Sequence, residues 1–156
     1  MKTKYDWENY KWCNGGSITT LTKYNNNGAN GIVDNITTLE SGDDVAHVKL
    51  GGKWRTPTYS EWNEFITQCT LEWTVNNGVN GIKATGSNGD SVFLPAAGDY
   101  NYKSPSDVGA YGHYWSSSLY TNNYPGCAHE LRFTTNAFRM SYNYRTFGES
   151  VRPVTE

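Results

Sequence analysis

The spacing of apolar residues along this chain changes near residue 70, from a helical period to short alternating runs. Before that point, Pro57-Thr58-Tyr-Ser-Glu61 has the form of a capping box, with Thr58 as N-cap and Glu61 reaching back to its amide. Trp62, Phe65, Ile66 and Cys69 then recur at helical spacing, which predicts one core-facing helix face. A shorter helix is predicted to start at Ser41-Gly-Asp-Asp44, whose acids suit the positive end of the helix dipole. It runs through Val45, Ala46 and Val48 and stops at Gly51-Gly52. After Cys69 the pattern predicts strands at 71–75, 81–85, 91–94, 113–117, 130–134, 138–142 and 150–154. Asn76-Asn77-Gly78 and Ser87-Asn88-Gly89 carry hairpin turn chemistry, and Pro95 ends a strand because it cannot donate to a ladder. Two helices followed by many short strands describe an α+β domain with a small mixed or antiparallel sheet and long loops, spanning 1–156 as one domain.

The N-terminal part reads differently. Tyr5-Asp-Trp-Glu-Asn-Tyr-Lys-Trp-Cys13 is an aromatic covering strand or loop, and Asn14-Gly-Gly16 and the run from Asn25 to Gly31 are turns. Asn35-Ile-Thr37 fits a glycosylation sequon, a pattern that arises often by chance. Composition sharpens the class: aromatic residues are 15% of the chain against 18% charged, so its polarity comes from Asn, Gly, Ser and Thr. That excludes a coiled coil, and six Trp with twelve Tyr argue against disorder. A net charge of -2 gives no basic footprint for nucleic acid, and no apolar run is long enough to span a bilayer directly. No signal-peptide apolar region follows Met1.

Candidate chemistry is sparse. Cys13, Cys69 and Cys127 are an odd number without CxxC spacing, so at most one internal disulfide can form, and buried free thiols are the plainer reading. Cys127-Ala-His129 lacks a second ligand pair, so no metal is expected there. Asp43 and Asp44 are explained by the helix dipole, and His47, His113 and His129 are scattered without a triad partner at a recognisable spacing. Trp54 and Trp115 are expected as rigid core anchors, with Arg55 and Arg152 binding loop carbonyls. No catalytic residue, cofactor or metal is expected.

Five segments taken in order carry a family resemblance: Leu39-Glu-Ser-Gly-Asp-Asp44, Gly52-Lys-Trp-Arg-Thr-Pro-Thr-Tyr-Ser-Glu-Trp62, Ser91-Val-Phe-Leu-Pro-Ala-Ala-Gly98, Tyr114-Trp-Ser-Ser-Ser118 and Ser150-Val-Arg-Pro-Val154. Together they resemble the C-type-lectin-like domain called the Fibrobacter succinogenes major paralogous domain, frequent in Bacteroidetes surface proteins. That family is similar in fold to formylglycine-generating enzyme and to the variable proteins of diversity-generating retroelements. The resemblance implies a C-type-lectin-like fold whose N-terminal portion starts inside the usual domain, and a place on a cell surface, in the secreted fraction or on a phage particle. It also implies that function lies on C-terminal loops and strand surfaces, here 119–147, a stretch dense in Tyr and Asn. In diversified relatives, variation falls on Asn-type codons between a Tyr-Trp-Ser-Ser bracket and a terminal Ser-Val-Arg-Pro-Val bracket. Between these brackets, Tyr120, Asn122, Asn123, Tyr124, Asn136, Phe138, Tyr142, Asn143 and Tyr144 are residue types that such codons yield.

Those nine residues are the candidate ligand-binding set, because Tyr gives large rigid contact area and Asn adaptable hydrogen bonding. In a strand, Phe138, Met140, Tyr142 and Tyr144 share one face and Arg139, Ser141, Asn143 and Arg145 the other; one face is core, and the sequence does not say which. The expected function is a non-catalytic receptor or adhesin domain for a protein or glycan, compatible with an oligomer. The alternatives are a structural subunit of a pilus or surface layer, or a calcium-dependent lectin. The lectin motifs Glu-Pro-Asn or Gln-Pro-Asp with Trp-Asn-Asp do not occur, and the cysteine pair of formylglycine-generating chemistry is reduced to Cys127.

Overall fold

The computed structural model describes residues 4–122, 124 and 126–155. Its architecture is α+β, with two α-helices and three antiparallel sheets among the described residues. Helix α1 (Val45–Leu50) starts from Asp44, whose buried carboxylate accepts from the Ala46 amide (2.9 Å) and from Thr56 through its amide and hydroxyl (both 2.7 Å). It ends at Gly51, in the left-handed region (φ 69°) where glycine is favoured. Helix α2 (Tyr59–Gln68) has both halves of the capping box, Thr58 to the Glu61 amide and Glu61 to the Thr58 amide. The Asp43 and Asp44 carboxylates thus have structural partners, Lys11, Lys23 and Tyr24 for the first and the α1 cap for the second.

The first sheet has the order β1 (Thr70–Asn76), β2 (Val79–Thr85) and β3 (Ser91–Pro95). Asn77 and Gly78 join β1 to β2 with φ of 49° and 81°, the paired positive angles of a type I′ turn. A small hairpin follows, β4 (Asp99–Asn101) with β5 (Ser104–Ser106). The hairpin is not visible in the sequence pattern, because Tyr102, rather than a Gly or Asn, takes the left-handed position at its turn (φ 54°). The third sheet has the order β6 (Gly112–Leu119), β7 (Cys127–Phe133) and β8 (Phe138–Tyr144). Ring packing requires glycine at Gly112: a Cβ there would collide with the Phe133 ring directly across the ladder.

The core lies between α2, the first sheet and one face of the third. Trp62, Ile82, Leu94, Ala96, Tyr114, Leu131 and Phe133 form it, with Phe138 and Met140 packed against it. Trp62 is the anchor, and its indole donates to the Trp115 carbonyl at 3.1 Å. Three expectations change here. Trp54 is 40% exposed and anchors nothing in the core, while Trp115 is half-buried on the far face of the third sheet. Arg55 forks onto Glu61 with two 2.7 Å bonds, because a carboxylate outcompetes carbonyls for a planar guanidinium, and Arg152 is exposed. Residues 150–154 form no strand; they make single bridges, Ser150 to Tyr114 and Val154 to Arg55, with Pro153 between them unable to donate. The aromatic N-terminal stretch takes the loop alternative, with a 3₁₀ turn at Trp7–Asn9. No helix among the described residues is long and apolar enough to cross a membrane.

Candidate functional site

Register decides which C-terminal residues meet. Along β7, Cys127, His129, Leu131 and Phe133 point to one face and pair with Tyr144, Tyr142, Met140 and Phe138 of β8. The inner half of this face is core. Its outer half runs beyond α2, and there the apolar surface stays open: Tyr142 is 38% and Tyr144 42% exposed, against 0% for Leu131.

The segment between β6 and β7 brings two more rings to this outer half. The Tyr120 amide donates to the Cys127 carbonyl at 3.2 Å and the Cys127 amide to the Tyr124 carbonyl at 3.3 Å, closing the segment on itself. Gly126 sits at φ 83° against Trp7 and Ile18, where a Cβ has no room. Tyr120 stacks on Tyr142 at 4.1 Å between centroids, and Tyr124 on Tyr142 at 5.3 Å. His129 meets Tyr120 edge-on at 5.0 Å and lies 4.5 Å from Tyr59, which arrives from the start of α2. Tyr144 extends the cluster toward Trp7, with centroids 6.2 Å apart. Burial lowers the His129 pKa, leaving a neutral imidazole among phenols, and raises that of Tyr142. The result is a rigid aromatic surface with hydroxyl groups and no fixed charge. It suits stacking and hydrogen bonding.

Of the nine candidate residues, Tyr120, Tyr124, Tyr142 and Tyr144 come together here, and Asn122 is exposed in the same connecting segment. Asn123 lies outside the described residues. Three others go elsewhere. Phe138 packs half-buried against the core, away from the tyrosine cluster. Asn136 lies in the β7–β8 turn, at the other end of β8 and roughly 20 Å from Tyr142 by strand rise. Asn143 points to the opposite face, because alternation along β8 turns it away from Tyr142, and it donates to Glu149 at 3.0 Å.

That opposite face holds a second assembly. His113 and Glu130, 4% and 1% exposed, contact one another through Nδ1 and Oε2 at 2.8 Å. Glu149 joins them because the Ser150 amide donates to the His113 carbonyl and the Trp115 amide to the Ser150 carbonyl, both at 3.0 Å. Burial and the neighbouring Glu130 raise the Glu149 carboxyl well above its usual range, and burial raises Asp99. His113 therefore has the carboxylate neighbours that its sequence position did not reveal, seventeen residues away in Glu130. The one sequence signal was an acid inside an apolar strand, Glu130 between Ala128 and Leu131.

Further along this face, a cleft of about 240 Å³ opens under the N-terminal loops, lined by Trp12, Tyr24, Leu39, Trp115, Ala128 and Arg145. Arg145 stands over the Tyr10 ring at 5.3 Å and donates from Nη1 to the Tyr24 carbonyl at 3.0 Å. At its rim, burial would raise Asp43, but hydrogen bonds from Lys11, Lys23 and Tyr24 outweigh burial and hold its carboxyl at about 2. The three thiols are free; burial pushes Cys127 up to about 11, so it is a poor nucleophile and a poor metal ligand near neutrality.

No family model matches this chain, and no curated protein or solved structure matches it either.

Proposed function

We propose that the chain is a non-catalytic binding domain of C-type-lectin-like type, presenting its C-terminal tyrosine face to a protein or glycan ligand as a receptor or adhesin of a cell surface, secreted protein or phage particle. The observation that carries this reading is the cluster of Tyr120, Tyr124, Tyr142 and His129, rings from three segments packed on one sheet face, with Tyr124 and Tyr142 open to solvent. Holding large aromatics partly exposed costs hydration free energy, which a folding role alone does not require. Their rigidity lowers the entropy lost when a partner is bound, as in antibody paratopes. With Asn122, Tyr59 and Tyr144 the patch can contribute much of the roughly 800 Å² per partner that stable interfaces bury. The raised Cys127 pKa also supports a non-catalytic reading. Tyr120, Asn122, Tyr124, Tyr142 and Tyr144 all lie between the two sequence brackets and are residue types that Asn-type codons yield, which supports diversification as the source of this composition.

The test is binding to printed arrays of glycans and surface proteins by three proteins that share the parent's far-ultraviolet circular dichroism and cooperative thermal unfolding. They are the parent, the triple variant Tyr120→Ala/Tyr124→Ala/Tyr142→Ala, and Tyr102→Ala, an exposed tyrosine on a different hairpin. The parent's signals are expected to vanish in the triple variant and persist in Tyr102→Ala. Signals retained by the triple variant would place recognition elsewhere.

A further inference from the structure

On the face of the third sheet opposite the tyrosines, three acids, Glu130, Glu149 and Asp99, gather around one histidine. His113 Nε2, Glu149 Oε2 and Asp99 Oδ1 are all buried without a hydrogen-bond partner. One ligating atom each from His113, Glu130 and Glu149 lies within 4.8 Å of the other two. Placing the imidazole proton on Nδ1 satisfies its 2.8 Å contact with Glu130 but leaves Nε2 a bare acceptor and Glu149 Oε2 without a donor. Placing it on Nε2 sets two lone pairs against each other at Nδ1 and Oε2 and still leaves Glu149 unserved. Of the cations on this face, Arg132 is engaged 4.9 Å over the Tyr111 ring, and Arg145, whose Nε and Nη2 are buried without a partner, stands over the Tyr10 ring in the neighbouring cleft. Buried carboxyls in this number are paired, hold a proton as Glu149 beside Glu130 would, or bind a cation.

We propose that His113, Glu130 and Glu149 form a binding site for one divalent transition-metal ion of the zinc type. Three donors of mixed imidazole and carboxylate character, converging from two strands and a bridged segment, are the set such an ion takes. The imidazole argues against calcium and magnesium, which favour all-oxygen shells. Small rotations of the two glutamates bring donors now up to 4.8 Å apart to the separations that metal–ligand bonds of about 2.0–2.2 Å require. Asn143, bonded to Glu149 Oε1 at 3.0 Å, acts as the outer partner that orients one ligand. Asp99 is near enough to act electrostatically on Glu149 and lies beside the site as a candidate fourth donor. The ion is structural in this reading: it ties β6, β7 and the segment after β8 together behind the tyrosine face.

The experiment uses the full chain stripped with a chelator, titrated calorimetrically with Zn²⁺ and separately with Co²⁺ as a spectroscopic stand-in. One equivalent of Zn²⁺ per chain is expected, with a melting temperature about 5–10 °C higher at a hundredfold excess over the dissociation constant. Glu149→Gln and Glu130→Gln are near-isosteric and should each weaken binding at least about tenfold. The Co²⁺ spectrum of the parent should show d–d bands without a thiolate charge-transfer band, because no cysteine belongs to the site. This last readout needs no variant to fold. Failure of the parent to bind at about 1 mM Zn²⁺, far weaker than structural zinc sites, would overturn the proposal. So would a thiolate band, or binding undiminished in either folded glutamine variant.

Discussion

Adjacent residues on one strand, His129 and Glu130, open onto two surfaces that break opposite rules. On the His129 side, rings that could have been covered stand open, with Tyr124 50% exposed. On the Glu130 side, groups that water would solvate well are sealed in, with Glu130 itself 1% exposed. Both arrangements cost stability relative to an apolar core and a polar rim. A small sheet sustains both because its central residues, Tyr114, Leu131 and Phe133, are fully packed under Trp62. Departures of this kind from ordinary burial are expected where a chain binds or reacts as well as folds, which is the basis of the two proposals.

The comparison breaks most severely if its shared foundation is removed. Trp62→Ala should destabilise the protein by about 3–5 kcal/mol in denaturant unfolding, since it empties the core and orphans the Trp115 carbonyl. Leu131→Ala, at the centre of the same face as Tyr142, should cost about 2–4 kcal/mol. Thr58→Ala removes the N-cap of α2, the helix that roofs this face, and should cost about 1 kcal/mol. Tyr142→Ala should shift stability by less than about 1 kcal/mol while removing the centre of the aromatic surface. A loss as large as that of Leu131→Ala would reclassify the tyrosines as core.

Acid should also act through two paired carboxyls. The Arg55 fork holds Glu61 at about 2, and Asp43 is likewise at about 2. Both carboxyls have folded pKa values below their ordinary values of 4.5 and 3.8, so their contribution is present above about pH 4.5 and fades as pH falls toward 2. Thermal melts across that range should show the decline, reduced in Glu61→Gln. The smallest effect concerns Cys127, whose thiol near 11 should resist iodoacetamide at pH 8 in the native protein and react once unfolded.

Local signals in the sequence carried the helices and hairpins well. The capping box, the apolar spacing from Trp62 and the Asn77-Gly78 turn each act within a few residues, and each sits where the pattern predicts. Four tyrosines of the candidate site were legible for a related reason, since strand alternation puts Tyr142 and Tyr144 on one face. Which part of that face is roofed depends on where α2 ends over the sheet, so Phe138 and Tyr142 look alike in sequence and differ in burial. Asn143 and the His113 assembly were hidden by longer pairings, as Glu149 reaches His113 only through the Ser150 bridge. The β4–β5 hairpin escaped because its turn places Tyr102, a residue without a turn preference, in the left-handed region.

The central claim is that one face of this sheet is free to change and the other is not. Deep sequencing of the 3′ end of the gene across a population of the source organism tests it most directly. The account predicts substitutions concentrated at Tyr120, Asn122, Tyr124, Tyr142 and Tyr144, with His113, Trp115, Glu130 and Glu149 constant. Substitutions spread evenly over both faces, or a population with none on the tyrosine face, would contradict it.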